Sequence, residues 1–216
     1  FDNAEKTYFP GNTAPQAGEL FRNPDLGNTL AAIAQGGRSA FYEGDIAQAM
    51  SAYFKSIGAD LTLSDLSTHE GEWVEPRGVN YHGYTLYELP PNGQGFAALM
   101  MLNILKQIDV RQFERGSPEL FHFMVEAKRL AFEAMAGTFA DPDFADIPLD
   151  ALLSGGFAKR QLARIRKDAV IEPKFLAVPL EGEGDTTYLT VVDKSGLMVS
   201  LIQSNYRGMG SGLVPK

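Results

Sequence analysis

Thr186 and Thr187 follow a short segment of glycines and acids and begin a stretch rich in β-branched residues. A threonine at the head of a strand, behind such a segment, suits one particular acyl transfer. If the Thr186 hydroxyl attacks the carbonyl carbon of Asp185, the acyl group moves from nitrogen to oxygen, and water then releases a chain that begins with Thr186. The new α-amine has an unperturbed pKa of about 8, so it is partly neutral at pH 7 and can activate the adjacent hydroxyl. The pattern therefore predicts a nucleophile that needs no histidine.

A simpler interpretation of the same residues needs no chemistry. Thr186 and Thr187 are β-branched, and β-branched residues commonly begin strands. Ser204 and Asn205 can likewise be ordinary residues at the end of a hairpin, where their side chains satisfy backbone groups. The residues alone leave both interpretations open.

The elements that would position Thr186 are a linker, a hairpin and a glycine-rich loop. Residues 168–185 contain prolines, glycines and acids, which predicts an exposed, mobile linker. Two β-rich runs, 186–192 and 197–203, are separated by Asp193-Lys194-Ser195-Gly196, which predicts a hairpin. Residues 208–212 form the glycine-rich loop that follows.

Helices are predicted for most of the preceding chain. The abundance of Pro, Gly and Asn predicts an irregular arm over residues 1–27. A short helix is expected from Asn28 to the Gly36-Gly37 pair, and a second one from Asp45 as N-cap to Gly58.

The middle of the chain adds strands and two longer helices. Alternation over 73–89 predicts two short strands or extended segments, and the apolar run 96–108 predicts a core helix. Ser117 as cap and Pro118 at the first helical position predict a long helix, which ends near Asp141-Pro142-Asp143.

Composition limits the class of protein. With 216 residues, 44% of them hydrophobic, the chain can bury a core, and its net charge of −8 argues against a nucleic-acid partner. No apolar run approaches the roughly 20 residues that span a bilayer. The chain has no cysteine, and His69, His82 and His122 have no metal-ligand spacing, so we expect no metal and no cofactor. A start without methionine suggests a processed or excised piece, and the residues leave localisation open.

Several motifs together resemble the γ-glutamyltranspeptidase family, whose members are N-terminal-nucleophile hydrolases. Residues 186–193 are similar to that family's cleavage-site strand. Five further segments are similar to parts of its large subunit, in the same order along the chain. They are Asn23-Pro24-Asp25-Leu26 with Thr29-Leu30, residues 40–44, Leu61-Thr62 with Asp65-Leu66, residues 88–95, and residues 141–144. The resemblance runs essentially from end to end.

The resemblance implies a fold and a division of the chain. The expected fold is of the α/β (α+β) class: a four-layer α/β/β/α sandwich, of which this chain is an incomplete portion with a helix-rich first part. Residues 1–185 would be the C-terminal portion of the large subunit, mostly helical and ending in the 168–185 linker. Residues 186–216 would begin the small subunit. The remaining segments of both subunits would be its partners, and a periplasmic or secreted location is slightly favoured over a cytoplasmic one.

The resemblance also implies roles for individual residues. Thr186 would be the nucleophile, Asp185 and Thr186 would flank the cleavage site, and Ser204 would tune the nucleophile through a hydrogen bond. Substrate binding would fall to Asn205, or to Tyr206 in an ungapped register, and to the loop around Gly210.

The sequence departs from the family pattern at two kinds of position. Many transpeptidases have histidine where Tyr188 stands, and residues 201–207 look more like the acylase-type branch. The family's substrate-binding arginine would lie upstream of Phe1, and its oxyanion glycine pair beyond Lys216. Because oxyanion stabilisation is worth roughly 3 to 4 kcal/mol of barrier, these residues alone are expected to be catalytically poor.

The function implied is that of a self-cleaving γ-glutamyl, or related acyl, amide hydrolase and transferase. An ester on Thr186 would pass the acyl group to water or an amine acceptor. The substrates would be small molecules such as glutathione-like peptides, glutamine or an acylated antibiotic side chain. The alternative is a catalytically silent piece that contributes core and interface to a larger assembly.

Overall fold

A computed structural model describes residues 2–172, 186–205 and 210–215. The chain divides into two compact units: residues 1–71 with 180–216, and residues 72–179. Among the described residues, no helix has both the length and the apolar character needed to cross a membrane.

The described residues of the first unit form four α-helices and a hairpin. Its elements are α1 (Asp2–Tyr8), α2 (Pro24–Tyr42), α3 (Asp45–Ser56), α4 (Leu63–Thr68), β3 (Thr186–Val192) and β4 (Met198–Ser204), with a short 3-10 helix at Pro10–Asn12. A capping box begins α4, because Thr62 and Asp65 each bind the other's backbone N–H. The guanidinium of Arg38 in α2 donates to the backbone carbonyls of Ser67 and His69 at the end of α4. That contact fixes α4 against α2.

The second unit is built around one buried helix. Its elements are β1 (Arg77–Tyr81), β2 (Tyr84–Glu88), α5 (Phe96–Leu105), α6 (Pro118–Thr138), α7 (Leu149–Leu152) and α8 (Gly155–Leu162), with a short 3-10 helix at Val110–Gln112. β1 and β2 pair antiparallel across a tight turn. Seven of the ten residues of α5 are buried, which explains why its sequence is apolar on nearly every side.

Two hydrophobic clusters form the core of this unit. The first joins α5 to β1 and α7, and includes Val79, Phe96, Met100 and Leu152. The second joins α5 to α6 and α8. Its buried members are Ile104, Leu105, Phe123, Ala127, Leu130 and Ala158. Both clusters include residues of α5, so this helix is the centre around which the unit packs.

Several sequence predictions for these elements are confirmed. Ser117 caps α6, accepting the backbone N–H of Leu120 at 3.2 Å, and Pro118 is the first helical residue. The two short strands in 73–89 and the core helix near 96–108 are present. The hairpin predicted for 186–203 is also present, and its second strand begins and ends one residue later than predicted.

Three predictions for the start of the chain are wrong. The expected irregular arm contains α1, in which the Asn3 side chain donates to the Val214 carbonyl. The first long helix is capped by Asn23 rather than Asn28, and Gly37 (φ 60°) produces a kink where a helix end was expected. The N-cap of α3 is Gly44, and Asp45 is the first helical residue, where its charge favours the helix N-terminus.

Candidate active site at the head of the second hairpin

The pairing of β3 with β4 brings the two predicted chemical residues together. Thr186 is the register partner of Ser204, and the strands run antiparallel from there to the Val192–Met198 pair. The Thr186 Oγ1 atom lies 2.9 Å from the Ser204 Oγ atom, and either hydroxyl can be the donor. Because directly opposed residues of an antiparallel pair point to the same face, this contact follows from the register itself.

Hydroxyl groups dominate the face of the hairpin on which Thr186 lies. Side chains alternate along a strand, so Tyr188 and Thr190 share this face with Thr186, and Ser200 shares it with Ser204. The Tyr188 phenol oxygen lies 2.8 Å from the Ser200 Oγ atom. This second pair was not among the predicted site residues, although alternation within the predicted strands was a signal that could have identified it.

The turn of the hairpin is fixed by one carboxylate. Asp193 Oδ1 accepts the Ser195 backbone N–H at 2.8 Å, the Ser195 hydroxyl at 2.6 Å and the Leu197 backbone N–H at 3.0 Å. The Ser195 hydroxyl, followed by these backbone N–H groups, lowers the pKa of Asp193 from its ordinary value. A turn held in this way fixes the strand register, and with it the opposition of Thr186 and Ser204.

Asn205 and Gly210 lie against each other just beyond β4. Gly210 has φ +64°, a conformation that side chains rarely adopt. A Cβ atom at that position would lie 3.3 Å from the Asn205 Cβ atom, which is a tight contact. The absence of a side chain at Gly210 therefore allows the backbone to approach Asn205, the residue next to Ser204.

Some predicted site residues cannot be placed. Asp185, on the other side of the predicted cleavage position, lies outside the described residues, as does Tyr206, the alternative to Asn205. The predicted linker lies there too, from residue 173 onward. Within the described ranges, no group of three or more His, Cys, Asp or Glu side chains is positioned to hold a metal ion.

A family model described as gamma-glutamyltranspeptidase matches residues 1–216, the whole chain. The chain belongs to the γ-glutamyltranspeptidase family. Its fold is that of the family's N-terminal-nucleophile hydrolases, and the described helices and hairpins are a partial domain of that fold.

Curated relatives in the γ-glutamyltranspeptidase family have several kinds of name. The glutathione hydrolase-like YwrD proenzyme of Bacillus subtilis is 43% identical over 93% of this chain and 37% of its own length. The oxamate amidohydrolase proenzyme of Klebsiella pneumoniae is 33% identical over 97% of this chain and 38% of its own length. The acylase ACY 1 proenzyme of a Pseudomonas species is 32% identical over 90% of this chain and 35% of its own length. The chain thus spans between a third and two fifths of the length of these relatives.

Solved structures show the same relationship. The cephalosporin acylase from Bacillus halodurans aligns with a TM-score of 0.84 at 34% identity, over 97% of this chain and 37% of that one. The Helicobacter pylori γ-glutamyltranspeptidase aligns with a TM-score of 0.74 at 27% identity, over 82% and 51% respectively. The resemblance identified from motifs is confirmed, and both named kinds of enzyme, transpeptidase and acylase, are among the matches.

Proposed function

We propose that this chain is the central part of a self-cleaving amide hydrolase and acyltransferase whose nucleophile is the Thr186 hydroxyl. The observation that supports this most directly is the 2.9 Å contact between Thr186 Oγ1 and Ser204 Oγ at the head of the hairpin. A second support is membership of a family whose curated relatives are named proenzymes. Residues 1–185 belong to the larger product, and residues 186–216 begin the smaller one.

Self-cleavage proceeds by an acyl shift and a hydrolysis. The Thr186 oxygen forms a bond to the carbonyl carbon of Asp185, the bond from that carbon to the Thr186 nitrogen breaks, and the hydroxyl proton passes to the nitrogen. The product is an ester with a free α-amine. Water then adds to the ester carbon, which restores the Thr186 hydroxyl and leaves a carboxylate on Asp185. Because a new N-terminus exists only after this step, the precursor lacks its catalytic base.

The same hydroxyl then acts on the substrate amide. The α-amine of Thr186 takes the hydroxyl proton as the oxygen attacks, and returns it to the leaving amine when the C–N bond breaks. An acyl ester on Thr186 results, and either water or an amine acceptor releases it. Two half-reactions through a covalent ester predict ping-pong kinetics.

Ser204 has the geometry to tune the nucleophile. A hydroxyl at 2.9 Å can donate to the Thr186 oxygen as negative charge develops there, and such charge-assisted bonds are stronger than neutral ones. Asn205 follows Ser204 directly, and Gly210 lies against Asn205. We assign both residues, with Tyr206, to binding the substrate's polar end.

The names of the relatives support a proposal for the substrate class. They include glutathione hydrolase, oxamate amidohydrolase and acylase. We propose a γ-glutamyl amide of the glutathione type as the acyl donor, with water or an amine as acceptor.

The hairpin favours a larger assembly around this site. Several apolar side chains of β3 and β4 are more than 40% exposed, among them Leu189, Val191, Val199 and Leu201 on the face opposite Thr186. An isolated two-stranded hairpin is at best marginally stable in water. We therefore propose that further strands and segments of the full-length protein cover it and complete the site.

The test is intact-mass measurement on the full-length protein that contains this chain. Parental protein should split between Asp185 and Thr186, and Thr186→Ala should stay uncut. A γ-glutamyl electrophile should then add one label to the piece that begins with Thr186. A parental chain that stays whole and never takes the label would support the rival, a silent structural piece.

A further inference from the structure

Four polar side chains lie on one side of α6, at His122, Glu126, Arg129 and Glu133. Their spacing of four, three and four residues places them on one helix face. All four contact the same stretch of chain, residues 164–171, which follows α8. We call these four residues the α6 polar face.

Glu126 and Arg129 hold both backbone groups of a single residue. Glu126 Oε2 accepts the Ile171 N–H at 2.6 Å, and Arg129 Nη1 donates to the Ile171 carbonyl at 3.0 Å. The Glu126 side chain is fully buried, and its other oxygen, Oε1, makes no hydrogen bond but lies 3.3 Å from Arg129 Nη1. A buried carboxylate is costly unless it is paired, so these contacts to Arg129 and Ile171 are what make its burial tolerable.

The rest of the α6 polar face binds the stretch just before Ile171. His122 Nε2 donates to the Arg166 carbonyl at 2.6 Å, and the Arg164 guanidinium binds both oxygens of Glu133 at 2.9 and 3.0 Å. Ile165 and Ile171 pack against the core cluster shared by α5, α6 and α8. Polar and apolar contacts thus fix the same eight residues, 164–171, near the end of the range described up to residue 172.

Ile171 lies fifteen residues before Thr186 in the sequence. If the chain is cut before Thr186, the residues that follow Ile171 become the C-terminal end of the larger piece. Chain ends fray unless they are tied down. We propose that Glu126 and Arg129 are an anchor for this end, which keeps residues 164–171 in place after cleavage; the proposal rests on the self-cleavage described above. Both are positioning residues and take no part in the bond changes.

The test compares hydrogen exchange, followed by mass spectrometry, in peptides that cover 164–172 and in peptides from α5. The proteins are the full-length parent and its Glu126→Ala, Glu126→Gln and Leu130→Ala variants. Leu130 is the matched control, because it lies on the same helix as Glu126, is buried in the cluster against which Ile171 packs, and forms neither of the hydrogen bonds to the Ile171 backbone described above.

Glu126→Ala should speed exchange in 164–172 at least tenfold, equivalent to about 1.4 kcal/mol of local opening, and leave α5 much less affected. Glu126→Gln should give a smaller increase, because its carbonyl oxygen can still accept the Ile171 N–H. Leu130→Ala should speed both regions alike, through loss of global stability.

Trypsin supplies a second measurement, since it cuts after Arg164, Arg166 and Lys167. The rates of these three cuts should agree within about twofold between self-cleaved parent and uncut Thr186→Ala protein, and should rise at least tenfold in self-cleaved Glu126→Ala. The anchor is refuted if Glu126→Ala changes both exchange regions equally, or if cleavage alone exposes the three sites in the parent. A parent that never self-cleaves would refute the proposed function instead, and the exchange comparison would still report on the Glu126 contacts in the uncut chain.

Discussion

Ser204→Ala is the most direct test of how the hairpin prepares Thr186. The substitution removes the Oγ atom 2.9 Å from Thr186 Oγ1 and leaves the backbone pairing of β4 unchanged. A net hydrogen bond between neutral groups is worth about 0.5 to 1.5 kcal/mol, and one to a charged group about 1.5 to 3 kcal/mol. If Ser204 donates only to the resting hydroxyl, the rate should fall by about two- to tenfold, and if it donates to the oxygen as charge develops, by about ten- to a hundredfold.

The assay is the initial rate of γ-glutamyl amide hydrolysis, divided by the fraction of protein that has self-cleaved. Because a hydroxyl is retained, Ser204→Thr should recover most of the activity. Ser200→Ala is the matched control, since it removes a hydroxyl from the same face and strand but one that contacts Tyr188. A Ser204→Ala protein that cleaves and hydrolyses at the parental rate, or a Ser200→Ala protein equally impaired, would refute the reasoning.

Three further predictions concern stability. Gly210→Ala should destabilise the loop by about 1 to 3 kcal/mol, because φ is positive and the new Cβ atom would press on Asn205. The expected result is a lower kcat/KM and faster proteolysis of the loop, and parental values of both would contradict it. Ser117→Ala should lower the free energy of unfolding by about 1 kcal/mol, because it removes the cap of α6, and the unfolding midpoint in urea should fall. Ser117→Asp should keep the parental midpoint, because aspartate also caps helices. The pKa of Asp193 is lowered in the folded hairpin. The ionised side chain therefore stabilises the fold at pH values above its unfolded pKa of about 4, and this stabilisation is lost as the pH falls through the folded pKa. Thermal melts from pH 6 to 2.5 should therefore depend less on pH in Asp193→Asn.

Local signals were sufficient to predict the hairpin that brings Thr186 and Ser204 together. The turn residues 193–196 predict a hairpin, a hairpin fixes a register, and the register opposes Thr186 to Ser204. The same holds for α6, where Ser117 followed by Pro118 is a complete local start signal. Each of these features depends on residues fewer than twenty apart, so a sequence pattern can determine it.

The sequence predictions are wrong where distant contacts or competing local signals decide the structure. Asn23 precedes a proline, which favours the first helical position, and Asn23 therefore caps the helix instead of Asn28. The helix continues past Gly37 because Arg38, beyond the kink, is held by α4 carbonyls some thirty residues away. Buried Glu126 could not be predicted at all, because its pairing with Ile171 joins residues that no local pattern relates.

The Thr186–Ser204 pair and the hairpin that carries it depend on different contacts. The proposed nucleophile, Thr186, and its hydroxyl partner, Ser204, are brought together by one hairpin, so the pair can form wherever that hairpin forms. The hairpin itself buries little, since both strands are exposed along their whole length in the described structure. Its stability must then depend on strands and segments that pack on it, and these would also exclude water from the ester. We therefore expect packing of the hairpin and onset of self-cleavage to be coupled: a substitution such as Leu201→Asp on the apolar face should abolish cleavage although it touches neither hydroxyl, whereas Thr190→Ser on the other face should leave it intact.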